Sequence, residues 1–193
     1  MARRRLGIAG YMGAGKSTAA RLLAQGGGSI IDADRAAKTL MQESRQIRSR
    51  LEETFGAGVV ERGEIRFDLL GRAAFASATS IVKLNEIVHP PLINFLRNRL
   101  SESDDHTLIL DAALLPLWRL ESFFDTCLWV QAPFEMRFHR ILSGRSGLGE
   151  DDVKERMRLQ EQVLAQPAPR YPWKIIDNIG SLGLLEGILK DFR

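Results

Sequence analysis

Short apolar runs alternate along the chain with longer stretches in which apolar residues recur at helical spacing. Each short run is followed by a glycine, an aspartate or a glutamine, as is typical of parallel strands buried on both faces of a sheet. The intervening stretches are long enough for crossover helices, so the pattern predicts a three-layer α/β fold around a parallel sheet. The predicted strands are Leu6–Ala9, Ser29–Ile31, Leu108–Leu110, Cys127–Val130 and Lys174–Ile176.

One interval between strands is too long for a simple crossover. Between Asp34 and His106 the pattern predicts no buried strand, and we interpret this stretch as an inserted, mostly helical subdomain. A turn over Ser143–Glu150 separates two predicted helices, the second beginning near Asp151, and Gln166–Pro172 holds three prolines and must be non-helical. The helical segments predicted within the insert are Ala36–Thr54, Leu69–Ala76 and Ile93–Leu100.

Composition and charge narrow the class of protein only slightly. The chain has 193 residues, of which 45% are hydrophobic and 26% charged, as expected for one globular domain. A net charge of +3 is a weak indication of nucleic-acid binding, and acidic groups on a small molecule suit the Arg and Lys content equally well. We predict no nucleic-acid partner and leave the oligomeric state open.

The remaining composition points to a protein of the cytoplasm. The basic start of the chain is followed by only a short apolar run, so we predict no signal peptide, no membrane span and a cytoplasmic location. The single cysteine, Cys127, lies inside an apolar stretch and is predicted to be a buried core thiol.

The segment after the first predicted strand reads GYMGAGKST and contains the pattern G-x-x-x-x-G-K-[ST]. Its glycines let the backbone curl so that N–H groups point inward, and the following helix adds its own unpaired N–H groups. Lys16 can then reach the terminal phosphates of a nucleoside triphosphate, and the Ser17 hydroxyl can bind Mg²⁺. A purely structural turn would not explain a lysine here. The predicted phosphate-binding residues are Gly10, Gly13, Ala14, Gly15, Lys16, Ser17 and Thr18.

Acidic residues follow two other predicted strands. Asp32 and Asp34 come after the second strand, where ligands of open α/β sheets bind. Carboxylates at i and i+2 point the same way in an extended segment, and one could accept a proton from a substrate hydroxyl or organise water on Mg²⁺. The alternative is a helix N-cap at one of them. Asp111, after the third strand, is predicted to lie near Mg²⁺ or the substrate.

Further motifs follow the glycine-rich loop in a distinctive order. They are Asp32-Ala33-Asp34, His89-Pro90, Asp111 followed by Leu114-Leu115, Arg140 with Arg145, and Ile176-Asp177-Asn178. Over essentially the whole chain, their order and spacing resemble the dephospho-coenzyme A kinase family, which phosphorylates the ribose 3′-hydroxyl of dephospho-CoA with ATP and Mg²⁺. The resemblance implies a single P-loop kinase domain over residues 1–193, with a five-stranded parallel sheet. It also implies a helical substrate-binding (CoA) subdomain at about 35–92 and a mobile helical lid at about 138–165.

The resemblance also implies roles for individual residues. Asp34 would be the general base, Lys16 would stabilise the transferring phosphoryl group, and Ser17 would bind Mg²⁺. Arg140 and Arg145 would cover the triphosphate from the lid, since guanidinium groups neutralise charge that develops during transfer. The alternative for both arginines is a solvated helix face.

Two further positions are assigned by the resemblance. Asn178 would lie at the adenine pocket of ATP, and His89 would contact the substrate or cap a helix rather than act as a catalyst. The chain departs from the usual family pattern in the glycine-rich loop, on the acceptor side and after the lid. The departures include Tyr11, Met12, Phe67, Ala113, Pro116, one extra residue between Arg140 and Arg145, and the stretch LAQPAPRYPW.

Other function classes remain open on sequence alone. A related P-loop kinase could act on another nucleotide or small hydroxyl acceptor, and a nucleotide-binding or CoA-binding module could have lost turnover. Joint retention of Lys16, Ser17 and Asp34 argues against the inactive module. A GTPase would need an Asn-Lys-x-Asp motif to read its base, and the sequence contains none.

Overall fold

A computed structural model of the protein describes residues 3–144, 149–164 and 173–192. The strands are β1 (Arg4–Ala9), β2 (Ser29–Asp32), β3 (Val60–Glu61), β4 (Glu64–Ile65), β5 (Thr107–Asp111), β6 (Thr126–Gln131) and β7 (Lys174–Asp177). The helices are α1 (Lys16–Ala24), α2 (Ala33–Glu43), α3 (Arg45–Phe55), α4 (Phe67–Ala74), α5 (Ala78–Glu102), α6 (Leu115–Trp118), α7 (Phe134–Ser143), α8 (Glu150–Leu164) and α9 (Leu182–Leu189). Short 3₁₀ turns cover Ala57–Val59, Glu121–Phe123 and Lys190–Phe192.

The main sheet has five parallel strands in the order β2-β5-β1-β6-β7. Each of the five strands predicted from the sequence is present, which confirms the α/β class and the parallel sheet. Because the strands are parallel, their carboxyl ends meet at one edge of the sheet. Asp32 is the register partner of Asp111 on neighbouring strands, so two predicted site residues end side by side.

The central strands are buried on both faces, whereas the outer strands are not. Ile30 of β2 is 38% exposed and Ile175 of β7 is 61% exposed. The prediction that all five strands are doubly buried is therefore wrong for β2 and β7, because the strand order puts them at the two edges of the sheet. Apolar composition alone does not distinguish an edge strand from a central one.

One sheet face forms a core with the helices α1 and α9. Leu128 and Val130 of β6 contribute to it, as do Leu22 of α1 and Leu185 of α9. Successive strand residues point to opposite faces, so the intervening Cys127, Trp129 and Gln131 face the other side of the sheet. Cys127 is fully buried, as predicted. Burial raises the pKa of its thiol to about 12, which makes it unreactive at neutral pH.

The chain divides into two compact units, one of Met1–Asp32 with Leu100–Arg193 and the other of Ala33–Arg99. The second unit has its own apolar core, in which residues of α2, α3, α4 and α5 pack together. Its buried members are Met41, Ile47, Leu51, Val59, Ile65, Leu70, Ile87 and Val88.

The second unit differs from the sequence prediction in detail. The helix predicted over Ala36–Thr54 is two helices, because the side chain of Ser44 accepts a hydrogen bond from Ile47 N and caps the start of α3. A small hairpin, β3–β4, was not predicted. Its strands are only two residues long, too short to give a pattern, and its turn holds Arg62 and Gly63 at positive φ.

The helix α5 is much longer than the predicted segment Ile93–Leu100. It begins at Ala78 and contains Pro90 and Pro91 in its interior, where proline costs about 3 kcal/mol or more. Buried residues flank the proline pair, among them Val88 and Leu92, and their packing offsets that cost. The predicted segment Ile93–Leu100 is only the part of the helix that follows the proline pair.

The predicted division into two helices is confirmed, since α7 ends at Ser143 and α8 begins at Glu150. Residues 145–148 of the predicted turn lie outside the described residues. The two helices pack through Phe138 of α7 and Val153 and Met157 of α8. The predicted non-helical connection Gln166–Pro172 lies outside the described residues. Within the described residues, no helix is both long and apolar enough to cross a membrane.

Candidate functional site

The glycine-rich loop joins the end of β1 to the start of α1. Gly15 occupies the N-cap position of α1 at φ +98°, and no side chain caps the helix there. The first N–H groups of α1 therefore have no intrahelical partner, and together with the helix dipole they form a binding site for an anion. The sequence pattern predicted such a glycine-rich turn and helix start at this point of the chain.

Gly10 begins the loop at a point where the backbone of β6 approaches closely. Its φ is +142°, and an added Cβ would overlap the backbone oxygen of Val130. Backbone atoms in a central strand cannot move aside as a flexible side chain can.

We therefore expect Gly10→Ala to lower the free energy of unfolding by about 3 kcal/mol, from steric overlap plus left-handed strain. Gly26→Ala is the matched control, since Gly26 has φ +98° but nothing within 4 Å of an added Cβ. Strain alone should cost that variant about 1 kcal/mol. Urea denaturation measures both values, and equal losses would contradict the close approach at Gly10.

Asn178 follows β7 and holds the loop from the side. Its Nδ2 donates to the backbone oxygen of Ala14 at 2.8 Å, and its own backbone N–H donates to Gln131 O at 2.8 Å. The amide side chain also lies where a Cβ on Gly15 would be. The predicted site residues Ala14, Gly15 and Asn178 are thus in direct contact.

Arg140 of α7 joins the same cluster. One guanidinium nitrogen donates to Asn178 O at 3.0 Å, while the other terminal nitrogen is buried without a hydrogen-bond partner among the described residues. A buried N–H donor without a partner costs free energy, which an anionic or polar ligand would recover. The solvated-face alternative for Arg140 is therefore not what the structure presents.

A pocket of about 190 Å³ opens beside this cluster. Thr18 of α1 and Leu182 and Leu185 of α9 form part of its wall. The remaining lining residues are Gly15, Arg140, Asn178 and Gly180. The pocket therefore combines an apolar wall with the first turn of α1 and a guanidinium group.

Ser17, Lys16 and Asp111 form the polar centre of the site. The side chains of Ser17 and Asp111 are hydrogen-bonded to each other, and Lys16 Nζ donates to Tyr11 O at 3.3 Å. Desolvation raises the pKa of the buried Asp111 carboxyl above its usual value, and Asp32 adds to the rise, whereas Ser17, Lys16 and Arg21 oppose it. Hydroxyl and carboxylate oxygens gathered in this way are the ligands that Mg²⁺ prefers.

Two helices hold the loop from the other side through residues that the sequence analysis missed. Arg137 of α7 is 3% exposed, its Nε donates to Ala132 O at 3.0 Å, and it is ion-paired with Glu161 of α8. Its guanidinium lies 5.0 Å from the ring centroid of Tyr11. Gln160 accepts a hydrogen bond from Met12 N at 2.6 Å. An arginine and a glutamine on amphipathic helices look like surface residues in sequence, so no residue-type signal could have found them.

The remaining predicted site residues are Asp34, His89 and Arg145. Asp34 is exposed in the first turn of α2, directly after β2 ends at Asp32. The expectation that Asp32 and Asp34 share an extended segment is therefore wrong, because the helix begins at Ala33. His89 lies in α5 of the second unit, and burial lowers its pKa to about 4, which keeps the imidazole neutral at pH 7. Arg145 lies outside the described residues.

Comparisons with known proteins agree with this architecture. The sequence profile of one family, described as dephospho-CoA kinase, matches residues 4–182. The chain belongs to the dephospho-CoA kinase family. A dephospho-CoA kinase from Deinococcus radiodurans is 34% identical over 189 residues, covering 96% of this chain and 89% of that protein.

Solved structures extend the likeness to three dimensions. A crystal structure from Thermus thermophilus has a TM-score of 0.72 at 30% identity and covers 100% of this chain and 97% of that one. The dephospho-CoA kinase from Campylobacter jejuni has a TM-score of 0.61 at 18% identity, over 95% of this chain and 92% of that one. The second likeness concerns the fold alone. The family prediction made from the sequence motifs is confirmed.

Proposed function

We propose that this protein is a dephospho-CoA kinase, which transfers the γ-phosphoryl group of ATP to the ribose 3′-hydroxyl of dephospho-CoA. The observation that carries the proposal is the match of nearly the whole chain, residues 4–182, to the dephospho-CoA kinase family. The site adds a physical reason, because an uncapped helix start, Lys16 and Arg140 gather around one loop and suit a triphosphate.

Phosphate binding rests on the first turn of α1 and on Lys16. The loop N–H groups and the Lys16 ammonium neutralise the β- and γ-phosphates, and charge on the transferring group is stabilised where it develops. Because the loop is held by Asn178 on one side and by Arg137 and Gln160 on the other, its donors are positioned before the substrate arrives.

The oxygen ligands at the end of β5 fit a magnesium ion. Ser17 and Asp111 would hold the ion, with Asp32 beside them. When bound, Mg²⁺ neutralises phosphate charge during transfer. The raised pKa of Asp111 reflects its burial among groups of both signs, and a cation at this point would favour its ionised form.

Asp34 is the proposed general base. Its carboxylate accepts the proton of the 3′-hydroxyl while the ribose oxygen forms a bond to the γ-phosphorus. The bond from that phosphorus to the bridging oxygen of the β-phosphate breaks, and ADP leaves. Positioning and charge neutralisation supply most of the rate, since the protein forms no covalent intermediate.

Larger segments are proposed to bind and enclose the substrates. The helical segment at about 35–92, which includes His89, would bind dephospho-CoA, and the segment at about 138–165, which includes Arg145, would act as the lid. Closure would exclude water, which otherwise competes for the phosphoryl group. A reaction that consumes ATP needs a compartment that supplies it, so we propose a cytoplasmic location.

Arg140→Ala should lower kcat/KM for ATP about tenfold to a hundredfold, because it removes a charge-assisted donor beside the triphosphate. Arg97→Ala is the matched control, since Arg97 is an exposed arginine of α5 outside the segments proposed to bind and enclose the substrates, and its kcat/KM should stay within about twofold of the wild type. Steady-state kinetics with varied ATP measures both. Equal kcat/KM values in the two variants would show that Arg140 does not contribute to the use of ATP.

The proposed function is tested by ADP release with ATP and Mg²⁺ and one acceptor at a time. We expect release with dephospho-CoA and none above background with adenosine, AMP or shikimate. Release with another acceptor alone would mean that the phosphate site is a kinase site for a different substrate. ATP binding without release for any acceptor would favour a module that has lost turnover.

A further inference from the structure

The peptide group between Tyr11 and Met12 is hydrogen-bonded on both of its sides. On one side, Met12 N donates to Gln160 Oε1 of α8 at 2.6 Å. On the other, Tyr11 O accepts from Lys16 Nζ at 3.3 Å and from Ala14 N at 3.1 Å. The peptide is trans, and the N–H and C=O of a planar trans peptide point in opposite directions. The bond to α8 therefore also determines the direction of the carbonyl that holds Lys16.

Gln160 suits this bond by its residue type and its position. A backbone N–H can only donate, so the bond requires the amide oxygen of Gln160. Gln160 is half-buried, and its near neighbours Met157 and Leu159 in α8 are buried. Close packing of such neighbours limits the movement of the helix, and partial exclusion of water strengthens a hydrogen bond. The bond to Met12 is therefore well placed to fix one peptide of the loop.

An ion pair holds this part of α8 beside the loop. Glu161, the residue after Gln160, is paired with Arg137 of α7, whose side chain is 3% exposed. The Nε of Arg137 donates to a backbone oxygen at 3.0 Å, and its guanidinium lies 5.0 Å from the ring centroid of Tyr11. A buried arginine with several partners has one well-defined position, and breaking such an arrangement is costly. Gln160 is therefore presented to the loop by a rigid support.

Lys16 depends on an anchor because its side chain is long and flexible. An ammonium group stabilises a transferring phosphoryl group only when it is held close to that group. A lysine stem has many accessible rotamers, and the bond to Tyr11 O restricts them before ATP binds. If the Tyr11–Met12 peptide could rotate, its carbonyl would restrict Lys16 less. Loss of the Gln160 bond should therefore affect the reaction through Lys16.

We propose that Gln160 is a positioning residue for phosphoryl transfer, which acts on Lys16 through the Tyr11–Met12 peptide. In this role Gln160 need not contact ATP or the acceptor. The inference rests on the proposed function for the reaction that Lys16 assists. It assigns to α8 a part in the arrangement of the phosphate site, in addition to its packing against α7.

The test is a double-mutant cycle between Gln160 and Lys16 in the full chain. Gln160→Met keeps a long unbranched side chain but has no oxygen to accept the bond, and it should lower kcat about tenfold. In the Lys16→Ala background the same substitution should change kcat by less than about twofold, because the group that Gln160 positions is gone. Initial rates at saturating ATP and dephospho-CoA measure the wild type, the two single variants and the double variant.

Two further variants show whether the accepting oxygen is responsible. Gln160→Glu keeps an oxygen that can accept from Met12 N, and it should retain kcat within about threefold of the wild type. Gln25→Met is the control for the substitution itself, since Gln25 is exposed, follows α1 and lies outside the segments proposed to bind and enclose the substrates. Its kcat should stay within about twofold of the wild type.

Three results would each overturn the proposal. They are a wild-type kcat in Gln160→Met, an equal loss in Gln160→Glu, and a tenfold loss that persists in the Lys16→Ala background. If Lys16→Ala turns over too slowly, the same cycle is measured in ATP affinity by calorimetry, where Gln160→Met should weaken binding only when Lys16 is present. A wild type that forms no CoA would refute the proposed function, and the affinity cycle would still decide the role of Gln160.

Discussion

Lys16→Ala is expected to lower kcat for phosphoryl transfer about a thousandfold, because it removes a preorganised positive charge from the group being transferred. Lys16 lies in the first turn of α1, beside the hydrogen-bonded pair Ser17 and Asp111. Its Nζ donates to Tyr11 O at 3.3 Å, so the ammonium is held at the loop before ATP binds. Alanine favours the helix, and the fold should be retained.

Lys190→Ala is the control for this prediction. Lys190 is an exposed lysine that follows α9, outside the segments proposed to bind and enclose the substrates, and its loss should leave kcat within about twofold of the wild-type value. Initial rates at saturating ATP and dephospho-CoA measure both variants, and circular dichroism checks that each is folded. A Lys16→Ala enzyme with near-normal kcat would require another group to stabilise the transferring phosphoryl.

Asp34→Asn should lower kcat by about a hundredfold to ten-thousandfold, since an amide of the same shape cannot accept the proton of the 3′-hydroxyl. ATP affinity should change little, because Asp34 has no proposed contact with the phosphates. Single-turnover rates of CoA formation, together with calorimetric titration of ATP, measure the two quantities separately.

Asp191→Asn is the control for the same substitution. Asp191, like Asp34, is an exposed aspartate in the first turn of a helical segment, and it lies outside the segments proposed to bind and enclose the substrates. Only Asp34→Asn should lose turnover. If both variants react at the wild-type rate, the general base is another residue.

Much of the main sheet could be predicted from the sequence. Parallel strands are short apolar runs that end at a turn residue, and this signal located all five strands of the main sheet. The signal does not carry strand order, so it could not tell that Ile30 and Ile175 lie on edge strands and are partly exposed. Order is decided by long-range pairing, which leaves no local pattern.

The helical unit was predicted less well, for local reasons. Ser44 falls within the stretch Ala36–Thr54, in which apolar residues recur at helical spacing, yet its side chain caps the start of α3. Because serine favours the N-cap position, it could have indicated a boundary between two helices. Pro90 and Pro91 lie inside α5, although proline disfavours a helix interior, because the packing of neighbours such as Val88 and Leu92 offsets its cost. Tertiary contacts of this kind are not visible in sequence.

In the candidate site, too, some residues could be predicted from local sequence and others could not. The glycine-rich loop with Lys16 and Ser17 was predictable because phosphate binding needs particular residue types at fixed spacing. The contacts of Arg137 and Gln160 with the loop depend on how two helices pack beside it. Neither an arginine nor a glutamine on a helix indicates such a role in the sequence. A pocket of about 400 Å³ likewise joins Tyr11, Trp129 and Trp173 from distant parts of the chain.

Identification of the product decides whether the protein is a dephospho-CoA kinase. The protein would be incubated with ATP, Mg²⁺ and dephospho-CoA, and the product analysed by mass spectrometry and phosphorus NMR. We expect one added phosphoryl group, located on the ribose 3′-oxygen, with ADP formed in equal amount. A phosphoryl group at another position, or ADP formed without any phosphorylated acceptor, would contradict it.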